Sequence, residues 1–264
     1  MADFEYTYKA CMQAYRSTHD EGEQLGRYLD GVSKDFDLYE ATDCVSIGTG
    51  SGDYDLTFVT RCMPHIRYFD AVDQDDSNAD DLQHNLRKLL PGIQSTVHRT
   101  PVENWTGPRR PTDAVLMFHT LYYFSESQRD ALFRRCFDDW LKPDGCIVVL
   151  IDARRNGNEV IPYREIIRWM NPKYQSPDAD DIRSESKALG YRVEKEFEFE
   201  FRQDYSDPND QHLQMYNYHV DEPVKLDRIR SIIKELIPEG CRKQCSKLLV
   251  VTEKPAAGEI NRGT

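Results

Sequence analysis

The sequence predicts an α/β fold with a mostly parallel sheet covered by helices on both faces, and three observations predict it. Apolar runs of strand length alternate with segments of helical spacing from residue 41 to residue 151, which is the pattern of successive βα units. The first run, Val45-Ser46-Ile47, collapses into Gly48-Thr49-Gly50-Ser51-Gly52 and opens at Asp53 into a helix-spaced segment. The second run, Tyr68-Phe69-Asp70-Ala71-Val72, is closed by Asp73, at about the 20-residue distance where doubly wound sheets place a ribose-binding carboxylate. The full expectation is a Rossmann-like, mostly parallel seven-stranded sheet with an antiparallel edge strand, plus a small helical substrate lobe.

Taken in order, residues 3–38 read as helical, with aromatic residues among polar ones and an interruption at Ser17-Thr18-His19-Asp20. Cys44–Ile47 is a strand, Tyr54–Met63 a helix, Arg67–Val72 a strand and Asn78–Leu90 a helix stopped by Pro91-Gly92. Gln94–His98 is a weak third strand and Ala114–Phe118 a clear fourth one. Residues 126–140 have the spacing of an amphipathic helix, ended by Lys142-Pro143-Asp144-Gly145, and Cys146–Ile151 is the fifth strand. Beyond 152 the character changes. Asn156-Gly157-Asn158 is a turn, and helices are expected near 161–171 and 178–189. Tyr191–Arg202 alternates strictly, with Phe197, Phe199 and Phe201 on one face. A polar loop, Asp204–Asp210, precedes a helix at 223–236, and Leu248–Thr252 is the last strand. A hairpin of the last two strands closes the sheet. The expected domains are a helical lid (1–40), a cofactor-binding core (41–152), a substrate lobe with the sheet-closing strands (153–253) and a disordered tail (254–264).

The composition excludes some partners. The formal charge is −12, which argues against nucleic acid, because phosphate binding needs clustered Lys and Arg. The seven cysteines are scattered and complete no zinc pattern, as expected for free thiols in a reducing compartment. The first residues have no basic-then-apolar signal pattern, and the aliphatic run Ile147–Ile151 is far too short for a bilayer. A cytoplasmic monomer without membrane contact is expected.

At the first turn, glycines let the backbone approach a ligand that a Cβ would block, and the helix start supplies unpaired N–H groups. The spacing is not the dinucleotide fingerprint, whose third glycine falls where this chain has Asp53. It resembles instead the first motif of class I S-adenosylmethionine-dependent methyltransferases, and S-adenosyl-L-methionine (SAM) is the expected cofactor. A plain tight turn in any α/β protein is the alternative. Asp73 can accept two ribose hydroxyls or simply cap the next helix, and Asn78 lies within reach of the same nucleoside. After the fourth strand, Met117-Phe118-His119-Thr120-Leu121-Tyr122-Tyr123-Phe124 places two tyrosines to wall a substrate cavity, where aromatic faces suit cations.

With these residues assembled, the chain resembles histamine N-methyltransferase and its relatives. Ser46-Ile47-Gly48 with the spaced glycines, the stretch around Leu121-Tyr122-Tyr123 and Ser17-Thr18 carry the resemblance. Beside Gly50 and Gly52 of the turn, it implies cofactor contacts from Gly48, Asp73, Asn78, Val102 and Phe118, and substrate contacts from Tyr6, Tyr122 and Tyr123. Two positions depart. His19 stands where the family has a glutamate that holds the substrate amine, and His119 stands where it has a substrate-contacting glutamine. The family's C-terminal asparagine falls at Gln244 or Cys245. His19 and His119 are therefore the candidate catalytic residues, each also a substrate contact, with Gln244 a further one. No metal is expected, because two histidines lack a third ligand. The expected activity is SAM-dependent methylation of a small molecule, first an amine or imidazole nitrogen. A phenol or thiol acceptor is the alternative, as is a catalytically silent SAM-binding module.

Overall fold

The computed structural model describes residues 5–154 and 161–253; the turn expected at 156–158 and the tail expected from 254 lie outside them. The strands are β1 (Asp43–Ile47), β2 (Tyr68–Asp73), β3 (Gln94–Arg99), β4 (Thr112–Phe118), β5 (Leu141–Ala153), β6 (Arg192–Asp204) and β7 (Cys241–Thr252). They form one seven-stranded sheet in the order β3-β2-β1-β4-β5-β7-β6. The pairs from β3 to β5 are parallel, and β7 runs antiparallel to both β5 and β6. The antiparallel pairing is thus confined to one edge. The chain reverses direction across the sheet between β1 and β4, and the crevice outside their carboxyl ends is where such sheets bind ligands.

Burial on both faces explains why the central strands are apolar throughout. Along β5, Cys146, Val148 and Leu150 pack into one core while Ile147, Val149 and Ile151 pack into the other. The first core is covered by α2 (Glu21–Val32), α3 (Asp53–Cys62) and α4 (Ala79–Leu89); the second by α5 (Glu126–Arg135) and α7 (Ala179–Ala188). Phe199 and Phe201 of β6 are buried and Phe197 packs beside them, as the alternation predicts. A third, separate core joins α6 (Pro162–Met170), α8 (Asp210–Asn217) and α9 (Leu226–Leu236) through Ile166, Leu213, Tyr216, Ile229 and Ile233. This is the small helical lobe. No helix among the described residues is long and apolar enough to cross a membrane.

The N-terminal segment is not one helix. It breaks at Ser17–Asp20 between α1 (Tyr8–Arg16) and α2, and the break is tied to the end of β6. The His19 backbone bridges to Gln203, and Asp204 N–H donates to the Thr18 carbonyl at 2.7 Å. α1 packs on α8 and reaches across to the sheet, where Lys9 Nζ donates to the Ser77 carbonyl at 2.7 Å and pairs with Asp81 at 2.6 Å. Four elements differ from the sequence expectation. β5 begins at Leu141, which pairs with Thr112, so Lys142–Gly145, read as the stop before the strand, lie within it. α5 ends at Arg135, and the next turn, Cys136–Trp140, widens to π geometry. α8 is an added helix, hidden because polar His212, Gln214 and Asn217 are buried along with Leu213, Met215 and Tyr216, so no apolar stripe marks its period. β7 begins seven residues before Leu248, because Cys241–Gln244 pair with Phe201–Asp204 along the backbone ladder, joined by the Gln244 amide donating to that of Gln203.

Candidate active site

The glycine turn leaves β1 with Gly48 N–H donating to the Val72 carbonyl at 2.8 Å. Gly48, Gly50 and Gly52 all have positive φ (67°, 55° and 82°), a region that L side chains rarely adopt. The three differ in what a side chain would meet. A Cβ on Gly48 would lie 2.0 Å from Thr120 Oγ1, and one on Gly52 2.6 Å from a Leu82 methyl, whereas one on Gly50 would meet nothing within 4 Å. Gly48 and Gly52 are small for the protein's own packing; Gly50 faces open space. Beneath the turn, Ser46 Oγ donates to Asp55 at 2.6 Å and Thr49 Oγ1 approaches Ser46 Oγ at 2.8 Å. Burial pushes the Asp55 carboxyl up to about 7. Its proton uptake favours the folded state, so stability from this group falls as pH rises from about 4 to about 7. Asp55→Asn is expected to remove that decline and to raise the melting temperature at pH 8, by calorimetry.

The turn opens on a cavity of about 1020 Å³ at the carboxyl ends of the strands. Of the expected cofactor residues, Gly48, Gly50, Asp73, Asn78, Val102 and Phe118 line it. Gly52 does not; it is the N-cap of α3. Asp73 joins the turn to β2: one oxygen accepts Gly50 N–H at 2.7 Å and the other Asp75 N–H at 2.8 Å. Burial raises its pKa against those two bonds, and each oxygen keeps a further lone pair. α1 forms the opposite wall with Tyr8, Met12 and Arg16. The Arg16 guanidinium is 3.5 Å from Asp53 and lies over the Tyr54 ring.

The expected substrate residues divide. His119 and Tyr123 line the cavity, and the Tyr123 hydroxyl is hydrogen-bonded to that of Tyr8, joining α1 to the loop after β4. Tyr6, His19, Tyr122 and Gln244 are not in its wall. Tyr6 offers its carbonyl to Gln214 and Tyr218 at 2.8 Å each. His19 packs edge-on against Tyr15 and Phe201, and burial lowers its pKa. Gln244 is buried on β7 against Gln203 and Tyr205. Tyr122 turns behind the wall, where its hydroxyl accepts Asp152 N–H at 2.9 Å and sits 3.1 Å from His119 Nδ1.

His119 has a positive φ of 50°, a conformation in which histidine is enriched but still uncommon. The sharp turn aims its ring at Glu21, which the sequence reading passed over. His119 Nε2 lies 2.9 Å from Glu21 Oε1, and Ser246 Oγ (2.5 Å) and Tyr54 OH (3.0 Å) complete the carboxylate's partners. Burial pushes the Glu21 carboxyl up, but the His119 charge and hydrogen bond outweigh it and hold it at about 2. Burial likewise opposes a charged His119, and Glu21 overrides it and raises the imidazole. The result is a buried ion pair whose imidazolium uses both ring nitrogens inside the protein. The Tyr122 hydroxyl links the ring to the Asp152 backbone N–H, and the Asp152 carboxyl beside them is pushed up to about 6 by burial. Glu21, His119 and Asp152 present three ligand atoms within 4.8 Å, although Glu21 and His119 are already each other's partner. Glu21 follows His19 by two positions; its place in the first turn of an amphipathic helix gave a signal of helix capping only.

No family model matches the sequence, and no curated protein matches it. Solved structures do match, and they define the class of fold. The chain has the fold of class I methyltransferases. A Bacillus halodurans C-125 protein assigned as a methyltransferase is 11% identical with a TM-score of 0.63, over 86% of this chain and 99% of that one. Magnesium protoporphyrin IX methyltransferase of Synechocystis PCC 6803, with S-adenosylhomocysteine bound, is 10% identical with a TM-score of 0.53, over 96% and 90%. The neocarzinostatin-pathway O-methyltransferase, in complex with S-adenosylhomocysteine and 1,4-dihydroxy-2-naphthoic acid, is 12% identical with a TM-score of 0.53. This chain spans 56% of the length of that last protein.

Proposed function

We propose that this chain is a SAM-dependent methyltransferase acting on a small molecule, with an amine or imidazole nitrogen as its acceptor. The observation that carries the reading is Gly50: its missing side chain opens into the cavity while its N–H is fixed by Asp73. A nucleoside could approach the backbone there as closely as it could at no other residue type. The cavity is of the size that holds a small-molecule ligand. SAM, when bound, supplies a methyl group on a positively charged sulfur. Asp73 would hold the ribose hydroxyls, Asn78 and Val102 would flank the nucleoside, and Arg16 is placed to pair with the amino-acid carboxylate. α1 walls the site opposite the turn. Methyl transfer is an in-line displacement, so holding the acceptor lone pair on the methyl axis supplies much of the rate.

His119 bears on the acceptor. A phenol must lose its proton to a base as it attacks, and both His119 nitrogens are engaged with Glu21 and Tyr122. A neutral amine or imidazole brings its own lone pair and needs no such base. This favours nitrogen over oxygen, in keeping with the resemblance to the histamine N-methyltransferase family, and gives His119 a positioning role. The test is S-adenosylhomocysteine release from SAM with a panel of amines, imidazoles and phenols. Turnover with nitrogen acceptors is expected; tight SAM binding without product from any of them supports the silent-module reading instead. Two glycine variants separate packing from binding. Gly48→Ala is expected to cost about 1–3 kcal/mol of stability through overpacking against Thr120. Gly50→Ala should cost only about 1 kcal/mol of backbone strain yet abolish S-adenosylhomocysteine binding in calorimetry.

A further inference from the structure

We infer that Asp55 is a positioning residue of the glycine turn: through Ser46 and Thr49 it clasps the two ends of the turn and holds its backbone in the shape that receives the cofactor. The inference rests on the methyltransferase reading above. Ser46 precedes the turn on β1 and Asp55 follows it in the first turn of α3. The Ser46 hydroxyl donates to Asp55 Oδ1 at 2.6 Å, a bond that closes the base of the turn across nine positions. Thr49 stands inside the turn, between Gly48 and Gly50, and its hydroxyl lies 2.8 Å from Ser46 Oγ and 3.1 Å from the Ser46 carbonyl. Ser46, Thr49 and Asp55 are all buried. None of the three lines the cavity, so Asp55 acts through the turn and not on a ligand.

The turn does not fix itself. Gly48, Gly50 and Gly52 all take positive φ, and glycine loses more conformational freedom on folding than any other residue. A stretch with three of them keeps one shape only against restraints from outside it. On the cavity side the Gly50 N–H is held by Asp73 at 2.7 Å. On the buried side the hydroxyl of Thr49 is the restraint, and Asp55 anchors it through Ser46. A site already held in its bound shape binds more tightly, because less freedom is lost on association.

Stability does not account for this carboxyl. Burial pushes it up to about 7, so near neutral pH it detracts from folding. Arg16 of α1 attracts it but is paired with Asp53, Asp73 of β2 repels it, and Cys44 of β1 feels its charge. Nor is Asp55 a helix cap, since the N-cap of α3 has no side-chain hydrogen bond. Groups that break a local rule of stability collect where they position a site.

Calorimetric titration with S-adenosylhomocysteine at pH 8 reads the dissociation constant and the stoichiometry separately. A variant harmed only in its folding loses stoichiometry, while its folded fraction keeps the wild-type constant. Asp55→Leu removes the acceptor at similar volume and is expected to weaken binding about tenfold or more at full stoichiometry. Asp55→Asn keeps an oxygen for the Ser46 hydroxyl and is expected to bind within about twofold of wild type, while melting higher. Should Asp55→Leu fail to fold, Thr49→Val cuts the other end of the clasp without touching a charge and should weaken binding about fivefold. Wild-type affinity in folded Asp55→Leu or in Thr49→Val overturns the inference, as does an asparagine variant as weak as the leucine one. Loss of the methyltransferase reading has a different signature, the absence of S-adenosylhomocysteine binding by the wild type.

Discussion

Asp73→Ala is expected to weaken S-adenosylhomocysteine binding by about 100-fold or more, because it removes charge-assisted hydrogen bonds worth about 1.5–3 kcal/mol each. Two effects add. The variant loses the acceptor oxygens for the ribose hydroxyls, and it releases the Gly50 N–H that Asp73 now fixes at 2.7 Å. The turn would then lose the restraint that points its open side into the cavity. The fold should survive, since Asp73 ends a strand whose ladder to β1 and β3 is made by backbone groups. Calorimetric titration reads the affinity and a thermal melt reads the fold. Unchanged affinity in a folded variant would remove Asp73, and with it the nucleoside corner, from the proposal.

Glu21→Ala is expected to destabilise the protein by about 3–5 kcal/mol, the cost of stranding one member of a buried pair, and to lower the melting temperature by about 10 °C. The effect has a pH signature. Glu21 is depressed from 4.5 to about 2, so its contribution is complete above pH 4.5 and is lost as pH falls toward 2. His119 is raised above 6.5, so its contribution is complete below pH 6.5 and is lost as pH rises through the raised value. The stability gap between wild type and variant should therefore be widest between about pH 4.5 and 6.5 and narrow on both sides. Denaturant melts across that range measure it. A gap independent of pH would mean that Glu21 contributes packing and not charge. Ser246 and Tyr54 also lose their acceptor in this variant, which adds to the loss at every pH.

Much of the sheet was legible before any coordinate. Strand and helix runs followed hydrophobic period, and the glycine turn with Asp73 marked one wall of the cavity, because both depend on residues close in sequence or on a fixed spacing. Three things did not show. α8 buries the polar His212, Gln214 and Asn217 together with its apolar residues, so no apolar period marks it. The added length of β7 is held by backbone bonds to β6, which side-chain hydropathy does not report. His119 read as a candidate catalytic and substrate-contacting residue because its sequence neighbours are apolar or hydroxylic, while the carboxylate that engages it comes from 98 positions away.

The sequence by itself therefore determined the order of the strands and the glycine turn that walls the cavity, where φ-permissive glycines and one carboxylate carry the signal through local chemistry. Tertiary structure decided the charge cluster beside the cavity. Only the crossing of α1 and α2 over the sheet brings Glu21 to His119, and only the pairing of β4 with β5 sets Asp152 beside them. The charge state and availability of each of these groups depend on partners distant in the chain, because desolvation and Coulomb attraction act through space.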